Sequence, residues 1–258
     1  MSLSLAAKNE IVDLLTKTVR DKIKAYNPET KYMPFHHRLL GRDRYAMFSF
    51  VQSMNTTFGM SIWEQIAVIL GNNAGNHAER QYTLCGEIDD QTEDLIYRYH
   101  TDLRKSEIDA NKQNEMKMIR QAIKKGTPQR DPDSVVDLFI VVDNTDNYFD
   151  ITSAKPNMKE FSALKIKLLR WTALKLSQDK NAQVFTRLAI PYNPYYPEPY
   201  ERWTLKGLFD LDEGEVLVGE DFWNFIAGDN IYNELLDLFE ETGDILRDEL
   251  DEKFRSFR

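Results

Sequence analysis

The chain of 258 residues has little cysteine and histidine, and no apolar run long enough to span a bilayer. The single cysteine, Cys85, excludes a disulfide framework and argues against a zinc site built on thiolates. We therefore expect a reducing, cytosolic setting. The first residues do not combine a basic segment with an apolar run, so we expect no secretory signal.

Basic residues are also outnumbered, because 33 Lys and Arg stand against 42 Asp and Glu and give a formal net charge of −9. An acidic total argues against a nucleic-acid binder, which usually carries a basic footprint. The acidic residues are, however, concentrated in residues 208–253, whereas residues 32–48 and 117–130 are basic. Since the local sign of charge decides what a groove binds, nucleic acid remains a possible partner.

Hydrophobic residues make up 42% of the chain, enough for a sizeable core. Without an internal repeat or a low-complexity linker, we expect a single domain over residues 1–258. Residues 31–45 read as irregular. Apolar periodicity predicts helices at 4–26, 61–70, 91–125 (with a break near 110), 158–176, 221–226 and 230–257. Apolar β-type runs predict strands at 82–85, 135–142, 148–152, 183–190 and 215–219.

The most informative segment is a predicted hairpin, in which VVDLFIVV (135–142) and YFDIT (148–152) flank the polar turn DNTDN. Each run contains one aspartate, Asp137 or Asp150, and an ionised carboxylate in such surroundings is costly unless something compensates it. Adjacent antiparallel strands can place the two side by side, where a divalent cation would offset both charges. The alternative is an edge hairpin with both aspartates in solvent.

Other charged residues allow two interpretations each. Glu64 either reaches back to Ser61 in a capping box or is a third carboxylate beside a metal. Lys155 is either a solvated lysine or a charge that supports a scissile phosphate. On the helix that follows, Lys165 and Lys167 form either a solvated face or a phosphate-contacting one.

A basic segment with interleaved aromatic residues precedes the first buried helix. It contains His36, His37, Arg38, Arg42 and Arg44. Such a segment can follow a phosphate backbone and read base edges, although an ordinary surface loop has the same composition. Residues 31–55 and 184–205, the latter including Arg187, are therefore the predicted DNA-recognition elements. Two consecutive histidines do not present a zinc pair on one face, so we expect no histidine metal site.

Five segments together resemble type II restriction endonucleases of the TdeIII type, within the PD-(D/E)xK nuclease superfamily. They are TTFGMSIWEQIAVIL (56–70), VVDLFI (135–140), YFDITSAKPN (148–157), IPYNPY (190–195) and EVLVGEDFWNFIAG (215–228). The resemblance implies an α/β (mixed α+β) fold, with a restriction-endonuclease-like core at about 56–190. In such a core a central mixed sheet is flanked by helices, and helical N- and C-terminal parts are added, including acidic helices at 220–258.

The same resemblance implies a metal-binding site. Asp137 would be the first metal-binding aspartate, Asp150 the acidic residue of the D/E-x-K tripeptide, and Glu64 a third ligand. Thr152 stands where the tripeptide has lysine. The missing charge would then come from Lys155, or from Lys165 or Lys167 on the next helix. Otherwise the protein would be a weak or inactive nuclease that still binds DNA.

The function implied is Mg²⁺-dependent, site-specific cleavage of double-stranded DNA by a homodimer in the cytoplasm of a prokaryotic cell. A cognate DNA methyltransferase would protect the host genome. The alternatives are a non-catalytic DNA-binding protein of the same fold, a non-specific or repair nuclease, and an acidic protein-interaction module without nucleic-acid contact.

Overall fold

The computed structural model describes residues 2–28, 33–128, 130–202, 205 and 207–257. Its helices are α1 (Leu5–Ala25), α2 (Pro34–Leu40), α3 (Arg42–Thr57), α4 (Trp63–Asn73), α5 (Asp90–Arg104), α6 (Lys112–Ala122), α7 (Met158–Gln178), α8 (Glu220–Ala227) and α9 (Tyr232–Arg255). Its strands are β1 (His77–Cys85), β2 (Arg130–Val142), β3 (Thr145–Ile151), β4 (Val184–Ile190) and β5 (Val216–Val218).

The five strands form one mixed sheet in the order β1-β2-β3-β4-β5. β2 is antiparallel to both of its neighbours, β1 and β3, whereas β3, β4 and β5 are parallel. The parallel step from β3 to β4 requires a crossover, and α7 provides it. This arrangement confirms the expected mixed α/β fold with a central sheet between helices.

The β2–β3 hairpin closes through a tighter turn than the sequence predicted. Val142 pairs with Thr145, so only Asp143 and Asn144 lie in the turn. Both have positive φ angles, 48° and 59°, as a two-residue turn of type I′ requires. Aspartate and asparagine tolerate this conformation better than most residues, which fixes the register of the two strands.

Helices cover both faces of the sheet. One face packs against α5, α6 and α7 around fully buried Trp171 and Phe161. The other packs against α1, α4, α8 and α9 around Phe149, Phe222 and Trp223. None of the described helices has both the length and the hydropathy to cross a membrane.

The region before α4 differs from the prediction. Residues 31–45 were expected to be irregular; residues 31 and 32 lie outside the described part, but 34–40 and 42–57 are helical. Pro34 starts α2, where its missing N–H costs no hydrogen bond, and Gly41 (φ 85°) separates α2 from α3. Proline and glycine here mark helix ends and not a loop.

A π-helical turn, Phe58–Ile62, joins α3 to α4 without interruption. Ser61 therefore lies inside a helical run, and its predicted capping box with Glu64 is wrong. The main chain at this point is already hydrogen-bonded within the helix, so no N-terminal N–H group needs a cap. Glu64 is free to make contacts with the sheet.

Candidate active site

The β2–β3 pair opens at Asp137. Regular pairing ends at Leu138 and Phe149, while β2 continues alongside β1. One more step of the same register sets Asp137 opposite Asp150. There the N–H of Ile151 donates to Oδ2 of Asp137 at 2.7 Å, so a side chain takes the place of a main-chain acceptor. The hairpin thus forks where its two carboxylates meet.

The two carboxylates affect each other electrostatically. Burial raises the pKa of Asp137 to about 7, and the negative charge of Asp150 adds to that shift. Asp150 itself is only 6% exposed. Two such groups repel unless a cation offsets them, so the fork is a place where a positive charge gains energy. The expected pairing of these aspartates is present in the structure.

One cation of the chain already reaches the pair. Lys167 of α7 donates from Nζ to Oδ2 of Asp150 at 2.6 Å, and the same ammonium lies 4.9 Å from the centroid of the Trp171 ring. Its side chain is 29% exposed and lines an open cleft of about 460 Å³ between α5 and α7. Of the three lysines considered for this role, Lys167 is the one the structure brings to Asp150.

Glu64 lies beside this pair but is otherwise engaged. Its carboxylate, 3% exposed, accepts from Nε of Arg80 at 3.1 Å and from Nε2 of Gln81 at 2.8 Å. Gln81 has a φ of 51° within β1, a conformation that is uncommon outside glycine. The charge of Glu64 contributes to the raised pKa of Asp137. The sequence did not predict that Arg80 and Gln81 contact Glu64, since nothing local marks them as partners of a residue on the preceding helix, 16 and 17 positions earlier.

Lys155 points to a different neighbour. Its ammonium lies 5.0 Å from the centroid of the Tyr195 ring and lines a pocket with Thr152. The N–H of Thr152 still donates to the carbonyl of Ala189, so the strand geometry of β3 extends through it. Thr152 therefore shares the face of Asp150, where the tripeptide would have placed its lysine.

Two predicted DNA-contacting residues are engaged within the fold instead, one of them buried and the other half-buried. Lys165 is 0% exposed and forms ion pairs with Glu115 and Glu215, so its predicted contact with DNA is wrong. Burial opposes its charge, but the two glutamates outweigh burial and raise its pKa. Arg187 packs against the rings of Phe185 and Phe225 and donates to main-chain carbonyls, while burial lowers its pKa to about 10. Its guanidinium stabilises the fold where it lies.

The basic segment on α2 and α3 forms an exposed surface, the α2–α3 surface. The side chains of Arg38, Arg42 and Arg44 are exposed, and His36 is exposed with its ring 6.3 Å from that of Tyr45. His37 is half-buried. Phe35 (84% exposed) and Leu39 (83% exposed) lie on the same short helix. This combination of cations with uncovered apolar side chains is typical of an interaction surface.

Comparison with known proteins identifies relatives of one functional class. The family model "Type II restriction endonuclease, HinfI" matches residues 3–243. The type II restriction enzyme HgiCII of Herpetosiphon aurantiacus is 25% identical over 273 residues, which cover 94% of this chain and 96% of that enzyme. HgiBI of the same organism is 22% identical, with 94% and 95% covered. HgiEI of the same organism is 30% identical over 103 residues, which cover 39% of this chain and 36% of that enzyme.

The expected relationship to type II restriction endonucleases is thus confirmed, although the matching family is the HinfI one and the TdeIII type is not confirmed. Enzymes of this class act on double-stranded DNA and generally use divalent metal ions. The paired carboxylates and the adjoining lysine suit that chemistry. The match of the family model over residues 3–243 shows that the chain belongs to the HinfI family of type II restriction endonucleases, which are site-specific DNA nucleases.

Proposed function

We propose that the chain hydrolyses phosphodiester bonds at the β2–β3 fork, with Mg²⁺ held by Asp137 and Asp150. The observation that carries this proposal is the pair of opposed carboxylates with Lys167 hydrogen-bonded to one of them. Acidic residues that face each other at a break in a sheet repel each other unless a cation offsets their charge.

The residues present fit Mg²⁺ better than a metal ion whose ligands all come from protein side chains. Within the described residues, no three or more His, Cys, Asp or Glu side chains group closely enough to hold an ion. Mg²⁺ usually takes one or two carboxylates and completes its coordination with water and substrate phosphate. Two carboxylates at an open fork match that requirement. Bound there, the ion would supply a Lewis acid that lowers the pKa of water and offsets phosphate charge.

The side chains at the fork would then have different roles in the reaction. Asp137 and Asp150 would hold the ion. Lys167 offsets negative charge that develops on the scissile phosphate, because its ammonium already lies at the carboxylate pair and faces the α5–α7 cleft. Glu64 would join as a third ligand only after it exchanges Arg80 for the ion.

This arrangement supports membership of the PD-(D/E)xK superfamily with one substitution. Thr152 occupies the tripeptide's lysine position, and Lys167 supplies the charge from the helix above the same face of β3. Lys155 remains the second candidate for that role, since the loop that carries it follows β3 directly.

The α2–α3 surface is the proposed DNA-contacting element, with His36, Arg38, Arg42 and Arg44 toward the phosphates. We propose that two copies act together, because the two strands of a duplex need two active sites and exposed apolar side chains such as Phe35 are available for contact. A restriction role further implies a cognate methyltransferase and a cytoplasmic location in a prokaryotic cell.

The test is cleavage of unmethylated phage DNA with Mg²⁺ at low salt, beside the Asp137→Asn variant. Discrete fragments that disappear in the variant support the proposal. Intact DNA that is nevertheless bound would favour a catalytically inactive DNA-binding protein. A smear that depends on Asp137 would favour a non-specific nuclease and would refute site-specific cutting by this chain.

A further inference from the structure

A second cavity lies next to the fork, where the parallel strands β3 and β4 end. It has a volume of about 380 Å³, within the range of about 300–1,000 Å³ that small-molecule sites occupy. Ile151 and Thr152 at the end of β3, and Pro191 after β4, form one side of it. In open α/β sheets, ligands bind in crevices outside the carboxyl ends of parallel strands.

The opposite wall is aromatic and is shaped by the π-helical turn. Phe58 begins that turn and Trp63 follows it, and their rings stack with centroids 5.1 Å apart at 23°. Gly59 contributes no side chain, and a Cβ there would meet nothing within 4 Å, so space is open beside the rings. π-Helical turns are rare overall, and those that occur are often found at functional sites. Tyr192, 50% exposed, adds a third ring from the loop after β4.

The rim of this cavity is polar and carries one positive charge. Asn55, Thr152 and Ser153 line it, together with Lys155. The ammonium of Lys155 faces the Tyr195 ring, and no carboxylate of the described residues pairs with it. Flat apolar walls suit a nucleobase, and an unneutralised ammonium at the mouth suits a phosphate.

We propose that this pocket, formed by Phe58, Trp63, Thr152, Lys155 and Tyr192, takes one nucleotide of the substrate DNA after its base has left the duplex stack. The proposal rests on the proposed endonuclease function. Thr152 follows Asp150 by two strand residues, about 7 Å. Successive nucleotides of a strand rise about 3.4 Å, so the pocket lies within reach of a nucleotide close to the scissile one.

The first test uses mismatches. Cleavage of plasmid DNA by the wild type maps the site, and duplexes with one mismatched pair at each position are then bound in EDTA. A mismatched base costs less to extrude, so the mismatch should tighten binding at the one position whose base enters the pocket. At every other position of the site a mismatch should weaken binding by roughly 5- to 150-fold.

The second test uses matched variants. Phe58→Leu and Tyr192→Leu keep apolar bulk but remove a ring, whereas Tyr196→Leu removes a ring that is 85% exposed and outside the pocket. We expect the mismatch preference to disappear in the first two and to persist in the control. Thermal unfolding of each variant, measured in parallel, identifies any loss of fold.

The outcomes separate the two proposals. If the wild type cuts DNA but mismatches weaken binding at all positions, the pocket proposal is wrong and the endonuclease function stands. If 2-aminopurine at the preferred position changes fluorescence equally in Tyr192→Leu and wild type, the base does not contact this pocket. If the wild type does not cut DNA at all, both proposals fail together.

Discussion

Replacement of Lys167 by alanine tests the proposed site most directly. The lysine donates to Asp150 at 2.6 Å and is 29% exposed, so it acts in a partly desolvated place where a charge has more effect than in water. Removal of one donor that stabilises transition-state charge typically costs about 10²–10³ in rate, or about 2.7–4 kcal/mol. We expect Lys167→Ala to fall near the lower end, because solvent screens part of the charge.

The assay is single-turnover cleavage of supercoiled plasmid with saturating protein and Mg²⁺, which separates chemistry from binding and product release. Lys175→Ala is a matched control. Lys175 lies on the same helix and donates to Asp146 of the same strand at 2.6 Å, with a side chain 26% exposed. Both variants lose one α7–β3 ion pair of the same kind, so only loss of a catalytic charge should separate their rates.

A rescue variant makes the reasoning stricter. Thr152→Lys in the Lys167→Ala background restores a lysine on the face of Asp150, since β3 keeps its strand geometry through Thr152. We expect it to recover part of the lost rate. An unchanged rate in Lys167→Ala, together with a hundredfold loss in Lys155→Ala, would refute the assignment and transfer the catalytic charge to the loop after β3.

Three further predictions concern the metal, the core and pH. Asp137→Asn keeps an oxygen for the Ile151 N–H but removes a charge, so cleavage should vanish at low Mg²⁺ while urea denaturation stays near wild type; cleavage at wild-type Mg²⁺ would exclude Asp137 as a ligand. Lys165→Met removes one lysine partner of the buried Glu115 and Glu215 and leaves them Lys112, so it should lower the free energy of unfolding by about 3–5 kcal/mol in urea, whereas a neutral result would show that Lys112 is enough to offset both charges. Hydrogen bonds from the N–H and hydroxyl of Thr127 lower the pKa of Glu87, so its ionised form stabilises the fold above the unfolded value of about 4.3, and this is lost as pH falls through the folded pKa. The wild type should therefore lose more stability on acidification than Glu87→Gln does, and parallel pH curves would disprove the linkage.

The hairpin could be predicted because its information is local. Two apolar runs, each with a single aspartate, mark the strands, and Asp143-Asn144 sets the turn, so the opposition of Asp137 and Asp150 follows from the register. Most of the longer helices, such as α1, α7 and α9, were predictable for the same reason, since apolar periodicity does not depend on distant partners, whereas α2 and α3 were not predicted.

The environments of Lys165 and Lys167 could not be predicted from the local sequence. The amphipathic pattern of α7 indicates one buried face, but this helix lies between the sheet and both α5 and α6, so a second face is covered as well. Lys165 therefore enters the core and is neutralised by Glu115 and Glu215. Lys167, two positions later, reaches the fork. Only the packing of α7 on β3 distinguishes them.

The carboxylates and the lysine of such a site are subject to different constraints. Asp137 and Asp150 must oppose each other across one ladder, and a slip of one residue would turn them to opposite faces. A lysine has a long flexible stem and acts as a point charge, so several backbone positions can deliver its ammonium to the same place. Thr152 can therefore replace the strand lysine as long as α7 crosses the same face of β3. In the proposed site, the sheet register would therefore fix where a metal ion is held, whereas the helix that packs on the sheet would decide which residue supplies the positive charge.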